Sequence, residues 1–117
     1  MADVKQKRLA GTIRKNISDI IQFEVKDPSV GFVTITDVEV SSDHSYATVY
    51  VSFLGKEERA AAGLKALERA KGHIRTQLSK RLTIRRCPEL IFKIDEAMQN
   101  GQKIEEILRE IHEKEQE

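Results

Sequence analysis

Apolar residues recur along this chain at helical spacing in three stretches, with runs rich in β-branched residues between them. From residue 3 to residue 25, Leu9, Ile13, Ile17, Ile20, Ile21 and Phe23 follow one another mostly three or four apart, the spacing that lines one face of an α-helix. Asp27-Pro28 and Gly31 end that pattern. From Phe32 to Ser41 and from Tyr46 to Leu54 the β-branched and aromatic content rises, with Val33, Ile35, Val38, Val40, Val49 and Val51, so two strands are expected. The short, turn-rich Ser41-Ser42-Asp43-His44-Ser45 between them predicts an antiparallel hairpin. After Gly55 the helical spacing returns, with Ala60, Leu64, Leu67, Ile74, Leu78 and Leu82 on one stripe and Glu57 and Glu58 in the first turn, where carboxylates suit the helix dipole. Leu90, Phe92 and Ile94 alternate after Cys87-Pro88 and predict a third strand. Asn100 and Gly101 then precede Ile104, Ile107, Leu108 and Ile111, a last helix whose acidic end frays after about residue 112.

The stripe from Ala60 to Leu82 has one irregularity. Four residues after Leu67 stands Lys71, so a straight helix would aim an ammonium at the core, where an unpaired charge is costly. Gly72 costs only about 1 kcal/mol relative to Ala in a helix and lets the backbone bend. A kink at Ala70-Lys71-Gly72 is therefore expected, dividing the segment into two short helices and turning Lys71 outward beside Lys65, Arg69, His73 and Lys80. The predicted order is α-β-β-α-kink-α-β-α, an α+β domain whose three-stranded sheet carries helices on one face. With no repeat, linker or low-complexity block before the charged last residues, residues 1–117 read as a single domain.

Charge changes this picture. The formal net charge is only +1, but it is segregated: residues 65–93 carry nine Lys or Arg against two acids, and residues 1–15 carry five against one. Residues 16–58 and 94–117 hold eight acids each, against two and three basic residues. One face can therefore be cationic on a nearly neutral chain. A basic helix face is also what simple solvation produces, since Lys and Arg are good helix formers. The Lys65, Arg69, His73, Lys80 stripe, however, contains no acid to make the usual pairs of an exposed helix, which favours a phosphate-binding surface. Lys71, Arg75, Arg81, Arg85 and Arg86 extend it, with Ala70 and Gly72 shaping the junction. Lys7, Arg8, Arg14 and Lys15 on the first helix are secondary candidates.

Other chemistry is sparse. Cys87 is the single cysteine, which excludes an intrachain disulfide and deprives a zinc site of its usual thiolates; a reducing cytoplasm is the expected setting. His44, His73 and His112 are scattered over a turn, a helix face and a tail, so no metal is expected. No phosphate-binding Gly-rich loop, nucleophile elbow or acid-base pair occurs, and neither enzyme activity nor a cofactor is expected. No apolar run is long enough to span a membrane. An adaptor that binds proteins through the acidic hairpin and the last helix remains the alternative to an RNA-binding module.

Several segments in order resemble the ribosome-binding factor A family of bacterial small-subunit assembly factors. They are Ile17-Ser18-Asp19-Ile20-Ile21 with Val25-Lys26-Asp27-Pro28, then Val33 to Ser41, Ala47 to Ser52, Ala70-Lys71-Gly72-His73-Ile74-Arg75, Lys80-Arg81-Leu82, Pro88-Glu89-Leu90 with Asp95, and Gly101-Gln102-Lys103-Ile104. The resemblance implies a KH-like fold of the second topology, in which a small-x-Gly kink at residues 70–72 replaces the usual Gly-x-x-Gly loop. It also implies a non-catalytic factor that binds the immature 30S subunit and its 16S ribosomal RNA, acts in late rRNA processing and cold adaptation, and works beside a maturation GTPase; a monomer is expected. Ser29 and Ala97 depart from the Arg and Ser common at those places in the family, and the first removes one possible phosphate contact.

Overall fold

The computed structural model describes residues 4–84 and 86–100. Helix α1 spans Val4–Glu24, strands β1 and β2 span Val33–Val40 and Tyr46–Phe53, helix α2 spans Glu57–Arg81, and strand β3 spans Glu89–Ile94. A single 3₁₀ turn at Pro28–Val30 joins α1 to β1. The Asp27 carboxylate starts this turn by accepting the Ser29 N–H at 2.9 Å, and Gly31, with φ of 63°, ends it in a conformation that favours glycine.

The sheet has the order β1-β2-β3. β1 and β2 form the expected antiparallel hairpin, its register running from Val33 opposite Phe53 to Val40 opposite Ala47, with an irregularity between Ile35 and Asp37. In the turn the Asp43 carboxylate accepts the Ser41 hydroxyl at 2.8 Å and the Ser45 N–H at 3.1 Å. β3 lies parallel to β2, an arrangement that needs a long crossover connection, here supplied by α2.

One sheet face carries α1 and α2. Ile13, Ile17, Ile20 and Ile21 of α1 and Leu67, Ile74 and Leu78 of α2 are buried against Ile35, Val49, Val51, Phe53 and Phe92. Phe23, assigned by its sequence position to the apolar face of the first helix, is instead 70% exposed near the end of α1.

α2 corrects the sequence reading most. It is one helix of 25 residues running through Ala70-Lys71-Gly72, and two short helices are not formed. The stripe is completed by Gly63, Ala66 and Ala70, which lie against the core three or four residues apart and lead on to Ile74. Lys71 lies one residue off that line, half-buried, with its ammonium 2.7 Å from Glu68. The charge never faces the core, so no break is needed to remove it.

The last helix also begins earlier than expected. Residues 96–100 are already helical, because the Asp95 carboxylate accepts the Met98 N–H at 3.2 Å and acts as the cap. The predicted apolar stripe from Ile104 to Ile111 and the acidic tail lie outside the described residues. Gln99 on this turn completes the sheet: its side-chain amide accepts the Phe53 N–H at 2.8 Å and donates to the Phe53 carbonyl at 3.0 Å, where β3 has ended and β2 has not.

Candidate nucleic-acid interface

The solvent side of α2 carries Lys65, Arg69, His73 and Lys80, all exposed or partly so. Tertiary structure gives the cations of this region different partners. Among the described residues Lys65, Lys80 and Arg86 form no ion pair. Arg69 reaches the Asp27 carboxylate at 3.0 Å, and Lys71 pairs with Glu68. Arg81 meets Glu24 at 2.8 Å and Asp19 at 3.9 Å, both on α1. Exposed pairs of this kind contribute roughly 0–1 kcal/mol, so a phosphate can replace the carboxylate at little cost.

Arg75 has a different role. Its guanidinium donates to the carbonyls of Cys87 at 2.8 Å and Pro88 at 3.2 Å, fastening α2 to the segment that leads into β3. Burial raises the Cys87 thiol pKa and the nearby Arg75 opposes that rise. The Asp27 carboxyl is held below its ordinary value, first by the Ser29 N–H and then by Arg69. Arg85 lies outside the described residues. Gly72 is exposed, and a Cβ built there would meet nothing within 4 Å.

The first-helix candidates separate. Arg8 lines a shallow depression with Arg81, Leu82 and Ile84, on the side where α2 ends, and Lys5 joins them there. Lys5 is not among the sequence candidates, although its spacing of three from Arg8 puts both on one helix face. Lys7 instead lies beside Val38 and Glu39, Arg14 faces a cleft at β1, and Lys15 is exposed on α1. The structure thus brings Lys5, Arg8 and Arg81 together and leaves Lys7 and Arg14 toward β1.

Comparison with known proteins decides the family. The family model for ribosome-binding factor A matches residues 5–108. The chain belongs to the ribosome-binding factor A family. The ribosome-binding factor A of Brevibacillus brevis is 49% identical over 111 residues, covering 95% of this chain and 92% of that protein. That of Natranaerobius thermophilus is 45% identical, covering 96% and 86%. The crystal structure of ribosome-binding factor A from Thermus thermophilus superposes with a TM-score of 0.69 at 30% identity, over 76% of this chain and 93% of that one. Coordinates of the Thermus thermophilus factor fitted into the cryo-EM map of a 30S complex match with a TM-score of 0.56 at 29% identity, over 80% and 93%. The fold is the KH-like fold of ribosome-binding factor A, and among the described residues no helix is long and apolar enough to cross a membrane.

Proposed function

We propose that this chain binds the immature small ribosomal subunit and its 16S ribosomal RNA in the cytoplasm, and promotes late rRNA processing and subunit maturation. It acts as a non-catalytic monomer, matters most in the cold and is released with the help of a maturation GTPase. The observation that carries this reading is a set of exposed cations without carboxylate partners among the described residues, Lys65 and Lys80 on α2 and Arg86 beyond its end, in a chain whose relative from Thermus thermophilus was fitted into a 30S complex. Arg69, Lys71 and Arg81 join the surface by exchanging their carboxylate partners for phosphates, Arg85 continues it, and Arg8 with Lys5 extends it past the end of α2. Gly72, exposed and without a side chain, keeps the solvent face of the helix low at its centre, so that a phosphate backbone can approach, while Ala70 seats the same turn on the core. Arg75 positions the surface by holding the segment that carries Arg86.

Lys and Arg read phosphates and shape more than base identity, so binding should fall steeply with salt as counterions are released. The test is co-sedimentation with free small subunits across a salt series. Lys65→Glu, Lys80→Glu and Arg86→Glu combined should abolish co-sedimentation with the melting temperature unchanged. Arg75→Glu should lower the melting temperature instead. Binding that survives the triple reversal, or that ignores salt, would sink the reading and turn attention to the adaptor function of the acidic hairpin and last helix.

A further inference from the structure

β1 is an edge strand, and its two halves are treated differently. An antiparallel pair alternates between residues that bond each other and residues whose N–H and C=O point away. The Leu54 N–H bonds the Phe32 carbonyl, so Phe32 and Leu54 are a bonded pair, and Val33 with Phe53 the next, outward-pointing pair. The β2 side of the sheet agrees, since the outward groups of Phe53 are bonded by Gln99 and the Val51 carbonyl by the Asp95 N–H. Val33 and Ile35, opposite Phe53 and Val51, therefore aim their N–H and C=O groups off the free edge of the sheet.

The far half of that edge is guarded. The irregularity after Ile35 breaks the strand, the Asp37 carboxylate accepts the Val38 N–H at 2.9 Å, and the Gln6 amide donates to the Val40 carbonyl at 3.0 Å. These are devices that keep an edge from pairing. Nothing comparable occupies the edge at Val33 and Ile35 among the described residues. That stretch instead opens into a cleft of about 610 Å³ between β1 and α1, with Ile21, Val25 and Val30 among its apolar lining and Arg14 on its α1 wall. Phe32, 79% exposed, stands at its end.

We propose that this edge accepts an extended, acidic peptide segment of a partner protein as a short fourth strand. Donors and acceptors at the two-residue repeat of a strand are matched by a peptide backbone, and the side chains of an added strand would alternate between the apolar cleft and the outer sheet face. Charge selects the occupant. The cleft's own acid, Asp27, is engaged by Arg69, whereas Arg14 forms no ion pair among the described residues, so an aspartate or glutamate on the peptide is the complementary group. A second copy pairing edge to edge would bring two Arg14 side chains to one seam, which disfavours that occupant. The guarded half limits the added strand to a few residues, consistent with a weak, reversible contact.

The test is panning of a random peptide phage library on the full-length chain, followed by titration of the enriched synthetic peptides into the wild type, Val33→Pro and Arg14→Glu. Proline at 33 removes an outward N–H and no ladder bond, a substitution edge strands tolerate, and thermal melting checks that each variant is folded. Enriched peptides should carry an Asp or Glu, shift the amide resonances of residues 33 and 35, and bind each variant roughly tenfold more weakly, the effect of losing about one good hydrogen bond. The proposal is overturned if no peptide is enriched over a protein-free control or if both variants bind as the wild type does. It is equally overturned if an RNA oligomer displaces the peptides from this edge, or if the wild type self-associates and Val33→Pro does not.

Discussion

Gly63 and Gly72 sit nine residues apart on the same helix and are constrained in different ways. A Cβ built on Gly63 would come within 2.9 Å of three ring carbons of Phe53, a fully buried side chain at the end of β2. The same atom on Gly72 would meet open space. Glycine at 63 is thus a packing requirement, which lets the helix lie close on the sheet beneath an aromatic ring. At 72 the fold makes no such demand. The first half of α2 answers to the core, whereas the exposed face of its second half is free to answer to a ligand.

The sharpest way to break this contrast is to add one methyl at each glycine. Gly63→Ala should destabilise the protein by about 1–3 kcal/mol, because Phe53 has no free space into which to move. Gly72→Ala should stabilise it by about 1 kcal/mol, since Ala is the better helix former and nothing is crowded. Denaturant midpoints of the two variants measure both, and shifts of the same sign would show that the helix halves are not distinct. A bend that required glycine at 72 would give the opposite sign there.

A smaller effect sharpens the same point beside Gly72. Lys71→Ala should change stability by no more than about 0.5 kcal/mol, as for an exposed i,i+3 pair, because Ala70 and not Lys71 completes the buried stripe. A larger loss would place Lys71 in the core after all. The least effect concerns Asp27, which faces α2 through Arg69. Its pKa is lowered from 3.8 by the Ser29 N–H and Arg69, so the native state binds this proton less readily than the unfolded chain. Its contribution is complete above the unfolded value of 3.8 and is lost as pH falls through the lower native value. Stability titrated downward in pH should fall less steeply in Asp27→Asn than in the wild type, and identical acid limbs would remove Asp27 from the account.

Sequence alone determined the first helix, the hairpin and the third strand. Isoleucines spaced three and four apart could only bury themselves together on a helix, and the β-branched runs around Ser41–Ser45 could only pair as a hairpin, because each pattern follows from the local geometry of the backbone. It also located the cations, since their segregation into residues 65–93 is visible in one dimension. Tertiary structure decided which cations are free: Asp27, Asp19 and Glu24 are distant in sequence from Arg69 and Arg81 yet neutralise them, and Arg75 is held by carbonyls twelve and thirteen residues away. Counting at spacings of four selected Lys71 as the next core position, whereas a spacing of three selects Ala70. The two choices are equivalent on an isolated helix and are separated only by what it packs against, which is why the small residues at 63, 66 and 70 became legible only once Phe53 and the sheet were beneath them.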